Sequence, residues 1–405
     1  MGSTQPSEPS PTTPSGFVNL APPMGEPFDP ASATPVTPAP PPGWSWYEVE
    51  GTFCRDGSKN GLYVRHTQSD KLLIYFEGGG ACTTPGFCHF NPQSVNHVLT
   101  GDGETVIGTV FAVGEGRQQP GTYNFGALDG IFAEGNAQNP YDGWNMVYVP
   151  YCTGDVHFGS NPDGMVPNLP EKQKFVGYLN NRIFLGRLAA TFKGKVDHVV
   201  ATGASAGSFG AALNYSMIAD TFADAQVDAV LDSGAPFDDA QWPACMQQAW
   251  RTIWKLNDSL PPDCTGCFNA DGGNMLALAD FLIDKHPKGN LAAISSLHDE
   301  VIRLFFAPGQ DDCALIQTAD PFEITAGQIL GGTIFPAEAY EAGLMGLRAK
   351  YLSTNRLATY YFGGDIDTLH QHTFRPRFYE PVVGGKSMAQ FTTEFLAGTM
   401  TQVGP

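Results

Sequence analysis

The sequence predicts an α/β fold with a mostly parallel central sheet flanked by helices. Residues 72–76, 145–150 and 227–231 are nearly continuous apolar runs, as is typical of strands that are buried on both faces. Residues 196–215, VDHVVATGASAGSFGAALNY, join a similar run to a glycine-rich turn and the start of a helix. Amphipathic segments between these runs could supply the crossovers that parallel strands need.

Composition and charge exclude several classes of function. The 405 residues carry 22 basic and 41 acidic side chains, which gives a formal net charge of -19. Such a surface argues against nucleic-acid binding and against general attraction to anionic membranes. The sequence also lacks an apolar run of about 20 residues, so no transmembrane segment is expected.

The first 42 residues are rich in Pro, Ser and Thr and predict a disordered, partly polyproline linker. We expect the remaining residues, 43–405, to form one large catalytic domain. No hydrophobic signal segment is present, and we expect that one has been removed. The protein would then be extracellular or attached to the cell surface.

The cysteines support the same compartment. Their number is even, and they are spread over the predicted domain at Cys54, Cys82, Cys88, Cys152, Cys245, Cys264, Cys267 and Cys313. This pattern predicts a disulfide framework formed under oxidising conditions. Cys264 and Cys267 have the spacing of a zinc-ligand pair, but neither a second such pair nor two suitably spaced histidines accompany them. No metal and no cofactor are therefore expected.

The first part of the domain predicts strands near residues 44–49, 62–64 and 72–76. The last of these ends in Glu-Gly-Gly-Gly-Ala-Cys. Glycines directly after a central strand let the backbone approach a substrate and present N–H groups to it. Gly79 and Gly80 are the candidate donors of an oxyanion hole, and a flexible turn is the alternative interpretation.

A strand at residues 145–150 leads into a loop that should lie on the same edge of the sheet. A helix within residues 171–192 follows. The pentapeptide GASAG, residues 203–207, then fits a nucleophile elbow, a sharp strand-to-helix turn that exposes Ser205. The N–H of Ala206 would point toward an oxyanion formed by attack on an ester. The glycine spacing does not match the nucleotide-binding loops.

The second half of the domain supplies the other candidate side chains. Residues 240–290, with three tryptophans and three cysteines, predict a cap-like insertion. Residues 301–306, VIRLFF, predict a strand that leads to Asp311 and Asp312. A helix at 336–352, a strand at 357–362 and a closing helix at 388–396 follow, and the loop after the last strand contains His370 and His372.

The resulting order of serine, acid and histidine is that of an α/β-hydrolase-like fold. Serine needs a base to take its proton, and the base needs a carboxylate to fix its tautomer. His372 is the preferred base, with His370 as the alternative. One of Asp311 and Asp312 is the preferred acid. The less favoured acids are Asp365, Asp367 and Asp232.

Four stretches, LLIYFEGGGAC, VYVPYCTGDVHFG, ATGASAGSFGA and VDAVLDSGAPF, resemble the pectin acetylesterase and Notum family of serine carboxylesterases. The resemblance implies Ser205 as nucleophile and an oxyanion hole formed by Gly79, Gly80 and Ala206. It also implies the disulfide Cys82–Cys88 and the pairing of Cys54 with Cys152. The pairing of the other four cysteines stays open. Gly80 stands where the animal members carry an aromatic residue.

These observations predict an exported esterase that removes short acyl groups, most simply acetyl, from a polysaccharide. A lipid or polyester esterase that prefers longer acyl chains is the first alternative. The second is an inactive glycan-binding module built on a hydrolase scaffold.

Overall fold

The computed structural model describes residues 34–36, 43–95, 98–99, 113–114, 129–267, 269, 272–310, 313 and 334–405. Within these ranges nine strands form one sheet in the order β1-β2-β6-β3-β9-β10-β11-β12-β13. Four shorter strands form two pairs, β4-β5 and β7-β8. The strand bounds are β1 Trp44–Phe53, β2 Lys59–Arg65, β3 Lys71–Phe76, β4 Val98–Leu99, β5 Val113–Gly114, β6 Asn145–Val149, β7 Asn161–Gly164, β8 Gln173–Phe175, β9 His198–Ala204, β10 Gln226–Asp232, β11 Leu291–Ser296, β12 Leu357–Phe362 and β13 Gln402–Val403.

The sheet is parallel from β6 to β13, and only β1 and β2 run antiparallel to their neighbours. This confirms the predicted mostly parallel sheet. In a parallel sheet the carboxyl ends of the strands lie at one edge, where α/β proteins place their sites. The loops after β3, β9, β10, β11 and β12 therefore meet at this edge.

Helices cover both faces of the sheet. The helix bounds are α1 Pro85–Phe90, α2 Gly177–Phe192, α3 Ala206–Thr221, α4 Ala244–Trp254, α5 Ala277–Lys285, α6 Glu300–Phe306, α7 Ala337–Leu352 and α8 Met388–Leu396. The predicted helices at 336–352 and 388–396 are confirmed. Alternate residues of the central strands enter two cores, so that Leu72 and Ile74 pack with α2 and α3, and Leu73 and Tyr75 belong to the core that contains α8.

The predicted strand at residues 301–306 is wrong, because this segment lies in helix α6. The Asp299 carboxylate caps α6 by accepting hydrogen bonds from the N–H groups of Val301 and Ile302. Continuous apolar runs do not distinguish a buried strand from a short buried helix. The strand between β10 and β12 is instead β11, whose sequence is LAAISS.

Residues 240–290 lie between two neighbouring strands, β10 and β11, and contain α4 and α5. Their three tryptophans are buried in the same core as α2 and α3. The indole N–H of Trp254 donates to the carbonyl of Cys82 at 3.1 Å. The insertion thus contacts the loop that follows β3.

The eight cysteines form four disulfides: Cys54–Cys152, Cys82–Cys88, Cys245–Cys313 and Cys264–Cys267. The two pairs implied by the family resemblance are confirmed. Cys264 and Cys267, whose spacing also suits a zinc-ligand pair, are bonded to each other as a disulfide.

Most of the predicted linker, residues 1–33 and 37–42, lies outside the described residues. Val36 is described, and it is buried with its N–H donating to the Thr191 hydroxyl of α2 at 2.8 Å. Among the described helices, none is both long and apolar enough to cross a membrane.

Candidate active site

Ser205 occupies a strained backbone position between β9 and α3. Its φ is 59° and its ψ is -127°, a combination that side-chain-bearing residues rarely adopt. A Cβ atom added to Gly207 would overlap the carbonyl of Phe76, and one added to Gly203 would lie 2.5 Å from the carbonyl carbon of Gly207. Both glycines of the pentapeptide are therefore required by close backbone contacts. This geometry is that of a nucleophile elbow.

The elbow packs against the glycine loop, residues 77–82, which follows β3. A Cβ atom added to Gly78 would lie 3.1 Å from the Ser205 Cβ and 3.0 Å from the Gln371 Nε2. The loop after β12, which carries both candidate histidines, thus reaches the same point as the candidate nucleophile. The sequence analysis selected Gly79 and Gly80 but did not identify Gly78, whose lack of a side chain lets the glycine loop pack against Ser205 and Gln371.

Two side chains fix the peptide planes of the glycine loop. Asn91 donates to the Gly79 carbonyl at 2.7 Å, and the Tyr151 hydroxyl donates to the Gly80 carbonyl at 2.8 Å. In a trans peptide the C=O of one residue and the N–H of the next point in opposite directions. Asn91 therefore holds the Gly80 N–H on the far side of that peptide. In the described part of the chain, the N–H groups of Gly79 and Gly80 donate to no acceptor.

Ala206 is the first residue of α3, so its N–H has no acceptor within the helix. The positive end of the helix dipole adds to the attraction that such a group exerts on an anion. Gly79, Gly80 and Ala206 thus keep the backbone donors that the predicted oxyanion hole needs.

Buried hydrogen bonds hold Glu77, the first residue of the glycine loop, in place. The Glu77 carboxylate accepts from the Tyr151 N–H at 2.7 Å, and His157 Nε2 lies 2.8 Å from the Glu77 carbonyl. Since a carbonyl can only accept, Nε2 carries the proton in this contact. Burial lowers the pKa of His157 to about 4, so its ring is neutral at physiological pH.

The structure pairs His370 with an aspartate that the sequence analysis did not select. His370 Nδ1 lies 2.8 Å from a carboxylate oxygen of Asp299, and both side chains are fully buried. His370 Nε2 has no hydrogen-bond partner among the described residues. An imidazole oriented by a carboxylate through Nδ1, with Nε2 open, is the arrangement that a general base for a serine requires.

His372, the preferred base in the sequence analysis, lies in a different environment. Its ring stacks on Phe362 with 4.2 Å between centroids, and its Nε2 lies 3.2 Å from the Ser296 hydroxyl. Its Nδ1 has no partner within the described ranges. Burial, and then the nearby Arg377, lowers the pKa of His372 well below its ordinary value. The geometry therefore favours His370 over His372 as the base.

Of the aspartates that the sequence analysis considered as the acid, Asp232 and Asp367 have partners other than His370. The preferred acids, Asp311 and Asp312, lie outside the described residues. Asp367 forms an ion-pair contact with His298, whose Nδ1 lies 2.8 Å from its carboxylate. Asp232 is buried at the end of β10 and accepts hydrogen bonds from the loop after β12.

Asp299 could have been found from its position relative to β11. The strand LAAISS ends at Ser296, and Asp299 follows three residues later, on the loop that lies beside the one after β12. The apolar run at 301–306 was the stronger strand signal, and it moved the expected acid to Asp311 and Asp312. The sequence signal for Asp299 is a strand of small and polar residues followed by an N-cap aspartate.

Within the described ranges, no three His, Cys, Asp or Glu side chains form a group that could hold a metal ion.

Comparison with known proteins identifies the family of this chain. A family model described as pectinacetylesterase matches residues 46–277, which is more than half of the 405-residue chain. The palmitoleoyl-protein carboxylesterase NOTUM of Drosophila melanogaster is 30% identical over 227 residues, which cover 52% of this chain and 31% of that protein. Its Homo sapiens counterpart is 26% identical over 200 residues, which cover 47% of this chain and 35% of that protein. The chain thus matches about a third of the length of these curated relatives.

A solved structure of the Wnt deacylase Notum from Drosophila superposes with a TM-score of 0.60 and 18% sequence identity. The alignment covers 88% of this chain and 94% of that chain, so the two share an α/β-hydrolase-like fold. Taken with the family model that matches most of the sheet and the elbow, these observations show that the chain belongs to the pectinacetylesterase family.

Proposed function

We propose that this protein is a secreted serine carboxylesterase that removes short acyl groups, above all acetyl, from a polysaccharide. The observation that carries the proposal is the hydrogen bond between His370 and Asp299, in a loop that reaches the strained Ser205 turn. Membership of the pectinacetylesterase family supports ester hydrolysis.

The first chemical step forms an acyl-enzyme. The Ser205 hydroxyl attacks the carbonyl carbon of the ester, and His370 Nε2 takes its proton. Asp299 holds the imidazole by Nδ1 and stabilises the imidazolium that forms. The negative charge moves to the former carbonyl oxygen, where the N–H groups of Gly79, Gly80 and Ala206 would receive it.

The tetrahedral intermediate then breaks its bond to the alcohol oxygen, and His370 returns the proton to that oxygen. The sugar leaves with a free hydroxyl group, while the acyl group stays on Ser205. Water then attacks the acyl-enzyme with His370 again as base, and the carboxylic acid and free Ser205 are released. One ester and one water become one acid and one alcohol.

The substrate class follows from the family and from charge. The family description names acetyl esters of pectin. The net charge of -19 opposes the approach of a strongly anionic polymer. A neutral or sparsely charged acetylated glycan keeps the acetyl ester of the family description and avoids this repulsion. The four disulfides support an oxidising, extracellular location.

The proposal is tested by measuring acetate release from a panel of acetylated glycans and hydrolysis of p-nitrophenyl acetate. Ser205→Ala should lower kcat by about 10⁶-fold, because no other group supplies the nucleophile. Ser208→Ala is a matched control, since Ser208 is equally buried in α3 and its hydroxyl bonds to the Gly234 carbonyl. Full activity of the Ser205 variant would reject the proposal.

A second candidate is an esterase with a longer acyl substrate, and the names of the curated relatives favour it. It predicts higher kcat/KM for octanoate than for acetate esters of p-nitrophenol, because a deep apolar pocket binds longer chains more tightly. The short-acyl proposal predicts the opposite order. The inactive glycan-binding alternative predicts saturable glycan binding without ester turnover.

A further inference from the structure

Asp232, the last residue of β10, has a fully buried carboxylate whose partners lie mainly on one loop. Its Oδ2 accepts three hydrogen bonds, from the N–H of His372 at 2.7 Å, the N–H of Thr373 at 2.7 Å and the Thr373 hydroxyl at 2.8 Å. Its Oδ1 accepts from the Ser233 hydroxyl at 3.0 Å. We call residues 363–375, which follow β12, the histidine loop.

The backbone of Asp232 holds the nucleophile turn at the same time. Its carbonyl accepts a hydrogen bond from the N–H of Ser205 at 2.9 Å. The preceding residue of the elbow, Ala204, pairs with Asp232 in the parallel register of β9 and β10. One residue therefore binds the nucleophile through its main chain and the histidine loop through its side chain.

The neighbouring residue extends this contact. The Ser233 hydroxyl accepts from the N–H of Gln371 at 3.0 Å, and Ser233 has a φ of 55°. The N–H groups of Gln371, His372 and Thr373 thus all donate to side chains at the end of β10. His370 immediately precedes these three residues, so its backbone position is set by them.

Burial of a carboxylate is unfavourable unless hydrogen bonds within the protein offset its loss of hydration. Burial is the main cause that raises the pKa of Asp232, and its four hydrogen bonds act in the opposite direction. An apolar or amide side chain would avoid the cost of a charge at this position. A carboxylate oxygen is a strong acceptor, and Oδ2 of Asp232 accepts all three hydrogen bonds from the histidine loop.

We infer that Asp232 is a positioning residue for ester hydrolysis, which holds the histidine loop in register with the Ser205 turn. The inference rests on the proposed function, in which His370 must receive the proton of Ser205. Asp232 takes no part in proton transfer, because Oδ2 accepts three hydrogen bonds from the histidine loop and Oδ1 accepts one from Ser233. It acts by fixing where the imidazole stands.

The same strand offers a matched control. Asp228 is also fully buried, and its carboxylate is bonded to His198 at 2.7 Å, to Gln226 at 2.9 Å and to the N–H of Asn290 at 2.8 Å. It lies four residues before Asp232, roughly 13 Å away at about 3.3 Å per residue. Its partners are at the amino end of the sheet, away from the candidate site. Asp228→Asn therefore tests the general effect of removing a buried charge from β10.

The test compares Asp232→Asn, Asp232→Ala and Asp228→Asn with the wild type for kcat and KM on p-nitrophenyl acetate. Asp232→Asn keeps one acceptor oxygen and should lower kcat by about tenfold, the effect of one hydrogen bond. Asp232→Ala should lower kcat by about 10²-fold, as expected for a misplacement of about 1 Å. KM should stay within about twofold, since substrate contacts are unchanged. Asp228→Asn should keep the wild-type kcat.

Thr373 supplies a milder pair of variants in case Asp232→Ala does not fold. Thr373→Val removes only the hydroxyl donor and should lower kcat by about threefold, whereas Thr373→Ser keeps the donor and should restore it. Amide hydrogen exchange gives a readout that is independent of activity. The N–H groups of residues 371–373 should exchange faster in both Asp232 variants than in the wild type or in Asp228→Asn.

Equal kcat values for Asp232→Asn and Asp228→Asn, with unchanged exchange at residues 371–373, would overturn the inference. An equal loss of kcat in both variants would also overturn it, because the effect would then be one of general stability. If the wild type hydrolyses no ester, the proposed function fails. The exchange measurement would then decide alone whether Asp232 holds the loop.

Discussion

The carboxylate of Asp299 both caps helix α6 and lies 2.8 Å from His370 Nδ1. Its Oδ1 accepts the N–H groups of Val301 and Ile302, and its Oδ2 faces the imidazole. The two N–H groups at the start of the helix hold the Asp299 carboxylate in place. The side chain that orients the histidine is thereby itself oriented.

These two contacts allow the proposed catalytic role of Asp299 to be separated from its role as a helix cap. Asparagine is as good an N-cap as aspartate, so Asp299→Asn should leave the free energy of unfolding within about 1 kcal/mol of the wild type. It should lower kcat by about 10⁴-fold, because the amide no longer selects the required tautomer. Steady-state hydrolysis of p-nitrophenyl acetate and guanidinium unfolding measure the two effects. Asp311→Asn and Asp312→Asn should retain wild-type kcat, and a large loss in either would restore the sequence-based choice of acid.

The two histidines are expected to differ in the same assay. His370→Gln should lower kcat by about 10⁴-fold or more, because it removes the imidazole that Asp299 orients through Nδ1. His372→Gln should keep kcat within about tenfold and lower the free energy of unfolding by about 1–2 kcal/mol, since it loses the stacking on Phe362. A greater loss of kcat in the His372 variant than in the His370 variant would contradict the assignment made from the structure.

A side chain at Gly80 is expected to lower both stability and activity. Its φ is 78°, and an added Cβ would lie 2.7 Å from the tip of the Phe305 ring. Gly80→Ala should therefore lower the free energy of unfolding by about 1 kcal/mol through backbone strain, and by a further amount through the contact with Phe305. It should also lower kcat/KM by about tenfold. Gly135→Ala measures the effect of backbone strain alone, because Gly135 has a φ of 71° and an added Cβ would meet no atom of the described residues within 4 Å.

A second substitution tests the contact itself. Phe305→Leu removes the end of the ring, so the double variant Gly80→Ala with Phe305→Leu should be more stable than the sum of the single effects by at least about 0.5 kcal/mol. Guanidinium unfolding of the four proteins completes the cycle. Additive effects would show that the Phe305 ring does not limit the space beside Gly80.

Asp155 and His157 predict opposite pH effects on stability. Both are fully buried, and burial raises the pKa of Asp155 to about 6 while it lowers the pKa of His157 to about 4. Between pH 4 and 6 the folded Asp155 holds a proton that the unfolded chain releases, so its contribution to the free energy of unfolding falls as pH rises. Between pH 4 and 6.5 the unfolded His157 holds a proton that the folded state lacks, so its contribution rises with pH.

Each contribution is about 3 kcal/mol, so the two nearly cancel in the wild type. A variant that lacks one of the two ionisable groups should show the pH dependence of the other. Relative to the wild type, the free energy of unfolding of Asp155→Asn should rise by about 3 kcal/mol from pH 4 to 6, and that of His157→Gln should fall by a similar amount from pH 4 to 6.5. Guanidinium unfolding at a series of pH values measures both differences. Parallel curves for the three proteins would show that neither group titrates in this window.

Much of the fold followed from local sequence patterns. The apolar runs before Gly78 and before Ser205 lie in the predicted strands, and the helix at the end of the chain begins and ends as expected. Strand β11 was missed, because its sequence LAAISS is short and only partly apolar. A strand of this kind is stabilised by its neighbours β10 and β12 rather than by its own composition.

The sequence alone determined the nucleophile turn, the glycine loop and the parallel sheet. Each depends on constraints within a few residues, such as the two glycines that the close backbone contacts around Ser205 demand. Tertiary structure alone decided which carboxylate faces which histidine. Asp299 and His370 are separated by 71 positions and meet only because β11 and β12 are parallel neighbours whose ends lie at one edge. Hydrogen bonds of this kind depend on strand order, and strand order is set by long-range pairing that no local pattern records.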